Sequence, residues 1–329
     1  MPQRSSDRVR AFDPGALARL GDYITARPHR NPWETLDGAP LDESARSLLP
    51  CSPAMKSEGP TCAVIGFGRF GRLLARILRE EFSVRVCDRQ PDHAAAREIG
   101  VEVVPLAAAC AADALFFCVP ISELESAIRE ARPYVRPGAL VMDTCSVKLH
   151  PLEVMRRRLP EDVEALGTHP LFGPDSAKDG LCGLRIVFCP LRVSATSLQF
   201  WRAFWERRGV RVIEMSPDEH DRRAAYSQGI THFVGRVLGE LPLESGEITT
   251  KGFEAIRSVI EQTTHDTWQL FHDLQHYNPY TPQMREDLIR AFANVMLKLY
   301  PDDPTLKALW RAQRVRRRAE GKRQESEAP

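Results

Sequence analysis

The chain has 329 residues, enough for about two domains. Lys and Arg number 45 against 44 Asp and Glu, a net charge of +1, so no overall field draws the chain to nucleic acid or an anionic membrane. Hydrophobic residues make up 43% and charged residues 27%, a globular composition that excludes a mainly disordered chain, and no apolar run approaches the roughly 18 residues of a spanning helix.

The 8 cysteines are too sparse for a disulfide scaffold and form no C-x-x-C pair. Several sit in apolar runs, Cys62, Cys87, Cys118 and Cys189 among them, and read as reduced core residues. No charged-then-apolar leader follows Met1, and Asp7 and Asp13 speak against a transit peptide, so a cytoplasmic protein is expected. No metal-ligand spacing stands out, and no metal is expected.

Residues 1–58 are rich in proline and read as a partly ordered N-terminal extension. Apolar runs then recur at 61–67, 83–88, 101–105, 114–120, 139–144, 163–167, 184–190 and 210–215, mostly without alternation, as in strands buried on both faces. Helix-length segments at 70–81, 91–99, 122–135, 148–158 and 195–208 lie between several of them. This is the pattern of an α/β fold with a Rossmann-type doubly wound sheet, expected over 59–215. From 216 to 329 only helices are predicted, about 217–241, 250–263, 266–277, 282–299 and 305–320. The basic run from Arg314 to Arg323 reads as a solvated helix end, with an RNA-binding or acid-partner tail as the alternative.

The first strand runs into Gly66-Phe67-Gly68-Arg69-Phe70-Gly71 and then a helix. In G-x-G-x-x-G the first glycine makes the turn, the second admits a pyrophosphate and the third lets helix and strand pack closely. Phosphates would meet the unpaired N–H groups of a helix N-terminus. Asp88, at the end of the second strand, suits a ribose diol and favours NAD, whereas the adjacent Arg89 keeps NADP open. Cys118, Val119 and Pro120 follow the fourth strand and complete the predicted cofactor wall.

In open α/β sheets chemistry gathers at the carboxyl ends of strands. Asp143-Thr144-Cys145-Ser146-Val147-Lys148 follows the fifth strand, and Thr168-His169-Pro170 closes the sixth. His169 can accept a proton near neutral pH, and Ser146 can hold a hydroxyl or orient the imidazole. An ordinary loop histidine is an equal alternative on position alone. A Ser/His hydrolase is disfavoured because G-x-S-x-G is absent. In the helical part, Asp221, Gln228, His232 and Arg236 recur at spacings of seven, four and four, which places them on one face of a single helix. Such a stripe is either a solvated face or the wall of a polar cleft.

The strings DTCSVK (143–148), THPLFGPDS (168–176) and EHDRRAAYSQGITHFVGR (219–236), following GFGRFG (66–71), resemble the prephenate/arogenate dehydrogenase family of tyrosine biosynthesis. The resemblance covers roughly residues 60–280. It implies oxidative decarboxylation of a cyclohexadienol with hydride transfer to NAD or NADP, and a helical domain that forms a homodimer. It implies that His169 accepts the hydrogen bond of the ring hydroxyl, with Ser146 as its partner and His232 at the substrate cleft. The substrate's side-chain carboxylate belongs to the region of GFEAIRSVIEQTTHDTW, where Arg257 is the nearest arginine, and Lys251 and Arg257 are taken as substrate-binding with Gln228. Asp221 offers a carboxylate for an ammonium, which leans the reading to arogenate over prephenate. An amino analogue of prephenate and a non-catalytic nucleotide sensor are the alternatives.

Overall fold

A computed structural model describes residues 60–244 and 246–307 of the chain. The N-terminal extension and the basic tail expected from the sequence lie outside the described residues. Two compact units divide between Pro282 and Gln283. The described part of the first, residues 60–282, holds the sheet and the helices around the candidate site. That of the second is most of one helix, Thr281–Leu299, with the short segment after it.

Eight strands form one sheet in the order β3-β2-β1-β4-β5-β6-β7-β8. They are β1 (Thr61–Ile65), β2 (Ser83–Cys87), β3 (Glu102–Val103), β4 (Ala114–Phe117), β5 (Leu140–Asp143), β6 (Glu164–Pro170), β7 (Arg185–Arg192) and β8 (Arg211–Glu214). Helices α1 (Arg69–Leu78), α2 (His93–Ile99), α3 (Leu106–Ala109), α4 (Leu124–Ala131), α5 (Leu149–Arg158) and α6 (Ala195–Glu206) lie between them. The order reverses between β1 and β4, the switch point at which doubly wound sheets bind ligands.

Successive residues of a strand face opposite sides of its sheet. Cys62 and Val64 of β1 therefore enter one core, with Phe82, Phe116, Trp201 and Phe204, whereas Ala63 and Ile65 enter the other, with Leu115, Ile128 and Met155. The aromatic layer packs edge to face, as between Phe116 and Trp201 with ring centres 5.1 Å apart.

One pairing departs from the parallel expectation, so that β7 and β8 run opposite to the other six strands. β7 runs antiparallel to β6, pairing His169 with Val187 and Thr168 with Phe188. The link between them, residues 171–184, contains no helix, and without a crossover the chain reverses direction.

After β8 the chain is helical: α7 (Pro217–Ala224), α8 (Ile230–Gly239), α9 (Lys251–His265) and α10 (Trp268–Tyr277) precede α11 (Thr281–Leu299). The single helix predicted over 217–241 is broken by a π-helical turn, Ala225–Gly229. No helix among the described residues is long and apolar enough to cross a membrane.

Candidate active site

The glycine loop occupies the β1–α1 turn, and its geometry supplies the room a dinucleotide needs. Gly66 has φ +98°, and a Cβ there would lie 2.4 Å from the Cys118 carbonyl oxygen, which excludes any side chain. A Cβ on Gly71 would lie 2.0 Å from the Gly66 carbonyl oxygen, whereas one on Gly68 would meet nothing within 4 Å. Gly68 caps α1 with no side-chain hydrogen bond, so backbone N–H groups stand ready for a phosphate.

Beside the loop, a cavity of about 340 Å³ is lined by Gly66, Gly68, Asp88, Arg89, Cys118 and Pro120, with Val119, Glu123 and Glu130. Asp88 accepts the Phe67 N–H at 2.6 Å and the Gln90 N–H at 2.8 Å. Arg89 reaches across to Glu123 at 3.1 Å and Glu130 at 3.3 Å. Burial pushes the Cys118 thiol up to about 12, so this side chain stays a neutral thiol.

The side chains of the remaining loop residues make contacts of their own. The Phe67 side chain is buried in the core, and Phe70 packs on Phe172 with ring centres 6.4 Å apart; neither lines the cavity beside the loop. Arg69 spans to Asp175 at 2.8 Å and stands 3.8 Å from Asp266.

His169 lies inside β6 near its end, where the strand continues beyond β5, because Asp143 at the end of β5 pairs with Gly167. The β5–α5 turn carries Ser146 and Lys148. Lys148 is fully buried; its Nζ pairs with Asp143 and donates to the Thr168 carbonyl at 2.5 Å. Asp143 also accepts the Cys145 N–H at 3.0 Å and the Thr168 N–H at 3.3 Å. An ion pair this deep offsets its desolvation only when its remaining lone pairs are bonded, as they are here. The assembly pins the carboxyl ends of β5 and β6 together. Burial, then His220 and Lys148, hold His169 well below the usual histidine range, so its imidazole is neutral.

His220 meets His169 Nδ1 through its Nε2 at 2.8 Å, and its own Nδ1 is 2.7 Å from Asp221. Asp221 is fully buried and accepts the N–H groups of Lys148 at 2.7 Å and Leu149 at 3.0 Å. Those are orphan donors of the first turn of α5, and a carboxylate suits that helix end. The expected role of Asp221 as partner of a substrate ammonium is therefore corrected: its oxygens are committed inside the protein. The cause is the π turn. One extra residue in that turn rotates α8 by about 100° relative to α7, so Asp221 and His232 do not share a face.

Gln228, within the π turn, and His232 and Arg236, beyond it, keep their four-residue spacing. Each has a buried polar atom without a partner: Gln228 Oε1, His232 Nδ1 and Arg236 Nε. Such atoms cost about 1–3 kcal/mol each unless a ligand satisfies them. His232 Nε2 lies 3.8 Å from Asp266, and burial holds this histidine below its usual range against the pull of that carboxylate. Arg236 donates to the Asp266 carbonyl and lies over the Trp268 ring at 5.1 Å. Through Arg69, Asp266 connects this cluster to the glycine loop and to Asp175 of the THPLFGPDS segment.

Lys251 and Arg257 both lie on α9. Lys251 is exposed at the start of α9, and Arg257 pairs along the same helix with Glu261 at 2.7 Å.

Two family models match: "Prephenate dehydrogenase, nucleotide-binding domain" over residues 74–214 and "TYRAAT1-like, C-terminal domain" over 237–305. Arogenate dehydrogenase 2 of Arabidopsis thaliana is 35% identical over 84% of this chain and 80% of its own length. The chain belongs to the prephenate/arogenate dehydrogenase family. It is thus an oxidoreductase with a nucleotide-binding domain. Arogenate dehydrogenase 1 of the same plant is 35% identical over 77% of this chain, which spans 41% of that protein. The fold is shared with prephenate dehydrogenase from A. aeolicus in complex with hydroxyphenyl propionate and NAD+ (TM-score 0.62, 18% identity, 82% of this chain and 99% of that one). It is shared also with Synechocystis arogenate dehydrogenase (TM-score 0.56, 21% identity, 81% and 99%).

For this family member, sequence reasoning singled out His169, Ser146 and His232 but not His220, Lys148, Asp143 or Asp266. The adjacent pair His220-Asp221 lies within the string 219–236, and a histidine next to an aspartate was the signal available. Asp266 offered no signal, because only the return of the chain at the α9–α10 turn brings it beside His232.

Proposed function

We propose that this dehydrogenase converts arogenate to tyrosine by NAD-dependent oxidative decarboxylation. The observation that carries the reading is His169: neutral, buried, and held next to the turn bearing Ser146 on the sheet that presents the glycine loop. When bound, the nicotinamide would supply the hydride acceptor. His169 would take the proton of the ring hydroxyl as the hydride leaves the same carbon. The carbonyl so formed draws the electrons of the departing carboxylate into an aromatic ring, and the proton returns to the phenolic oxygen. Ser146, on the adjoining turn, would hold the hydroxyl.

Gln228, His232 and Arg236 would satisfy their unpartnered atoms on the polar groups of the substrate. Asp266, the carboxylate beside His232, takes the place expected for Asp221 and supports an ammonium-bearing side chain. The relatives named arogenate dehydrogenase point the same way.

NAD is favoured because Asp88 faces the cavity and Arg89, in the same wall, is already paired with Glu123 and Glu130. Exposed apolar side chains on the helices after β8, Val237, Ile256 and Trp268, support a second copy as partner. The seven cysteines of the described residues are free thiols, which supports a reducing compartment such as the cytoplasm.

The test is a four-way assay of the purified chain with arogenate or prephenate, each with NAD or NADP, following reduced nicotinamide. Turnover greatest with arogenate and NAD is expected. Preference for prephenate would overturn the substrate, and silence in all four would favour an amino analogue or a nucleotide sensor.

A further inference from the structure

The candidate base touches a second histidine, and that histidine touches an aspartate. His169 Nδ1 is 2.8 Å from His220 Nε2, and His220 Nδ1 is 2.7 Å from Asp221 Oδ1. The imidazoles meet edge to face with centres 5.0 Å apart. All three side chains are buried, at 2%, 3% and 0% exposure, so solvent does not compete for these contacts.

Proton placement is dictated by the far end of the chain of contacts. Asp221 Oδ1 accepts the Lys148 N–H and Oδ2 accepts the Leu149 N–H, so the carboxylate is an acceptor on both oxygens. The His220 nitrogen facing it must carry a proton. A neutral imidazole protonated at Nδ1 has a bare Nε2, and a bare Nε2 can only accept from a protonated Nδ1 on His169. That leaves His169 with a bare Nε2.

We propose that His220 and Asp221 are positioning residues that lock His169 in its Nδ1–H tautomer, so that Nε2 is offered to the substrate hydroxyl as an acceptor. The proposal rests on the reading of His169 as the base. Neutral imidazole in water prefers the opposite tautomer, in which Nε2 carries the proton and cannot receive another. Without His220 the base would therefore default to the wrong form. In the step itself the hydroxyl O–H bond breaks, an N–H bond forms at His169 Nε2, and nothing is oxidised or reduced by the transfer. The new cation shares its Nδ1–H with His220, and Asp221 supplies the opposing charge one ring farther on. The same carboxylate caps α5, so the orientation of the base is tied to the helix that begins just after Ser146 and Lys148.

The experiment uses the full chain with NAD, its histidine rings labelled with ¹⁵N and His169 assigned by loss of its signal in His169→Asn. Long-range ¹H–¹⁵N spectra report which ring nitrogen bears the proton. Wild type should show His169 protonated at Nδ1. His220→Leu should shift it to Nε2 and lower kcat at least about 100-fold, with KM little changed. His220→Gln, whose amide can accept from His169 and donate to Asp221, should restore the tautomer and most of kcat. A wild-type spectrum with the proton on Nε2 overturns the proposal and needs no variant to fold. It is overturned equally if the Leu and Gln variants lose kcat alike while His169 keeps its tautomer, since that marks mere packing. The spectrum requires no substrate, so failure of the functional reading appears separately, as absence of turnover in the four-way assay.

Discussion

Asp266 and Asp88 are single carboxylates on which specificity turns. Asp266 lies 3.8 Å from both His232 and Arg69, so its charge is only partly compensated. Asp266→Asn should lower kcat/KM for arogenate by roughly 10-fold more than for prephenate, the scale of one lost charge-assisted contact. Parallel losses on the two substrates would remove the ammonium assignment. Asp88→Ser should relax the cofactor preference toward NADP, because Arg89 then faces a 2′-phosphate without a competing carboxylate at the strand end. Ratios of kcat/KM for the two nucleotides measure it, and no movement would show that Glu123 and Glu130 hold Arg89 too firmly to serve. For His169 itself, His169→Asn should retain nucleotide binding by fluorescence titration while turnover falls by roughly 10²–10⁴-fold. Turnover at the wild-type rate would move the base elsewhere.

At the scale of elements, the π turn and one close helix contact decide where the helical groups point. Periodicity over 217–241 predicts one uninterrupted helix, and counting residues cannot reveal an extra residue in one turn, because hydrophobic spacing on either side remains helical. Gly235 on α8 faces α9 so closely that a Cβ would lie 2.3 Å from Thr263 Oγ1. Thr263 is buried and bonded to the Val259 carbonyl at 2.9 Å, so it has little room to retreat. Gly235→Ala should therefore destabilise the fold by about 1–3 kcal/mol, the usual cost of overpacking, against the gain in helix propensity. Urea unfolding measures this; an unchanged midpoint would mean that the helices separate freely. The antiparallel β7 is the other element-level surprise, since an unalternated apolar run looks the same in either direction.

Across the whole molecule, buried neutral histidines couple stability to pH. His169, His232 and His150 all lie below the usual histidine range, chiefly through burial. Unfolded histidines titrate near pH 6.5, so below that pH the unfolded chain binds more protons than the folded one. Their contribution is complete above about pH 6.5 and is lost as the pH falls through the folded values. Melting temperature should drop between about pH 7.5 and 5.5, and His169→Asn should flatten part of that slope. A flat profile in wild type would show that these imidazoles titrate in the fold as they do in the unfolded chain.

Much of this architecture was legible without coordinates. All eight apolar runs are strands, and the glycine loop sits where a turn between a strand and a helix must be, because short-range sterics and two-residue alternation are written locally. His169 and Ser146 were legible for a related reason: they fall at strand ends, and a doubly wound sheet brings its strand ends to one edge. Local sequence thus determined the sheet, the nucleotide turn and the candidate base. Only the tertiary structure decided the rest. It turned Asp221 inward to α5 and His220, brought Asp266 to His232, and drew Arg89 toward Glu123 and Glu130. Each is a contact between charges or donors set by helix rotation and loop closure, which no local pattern encodes.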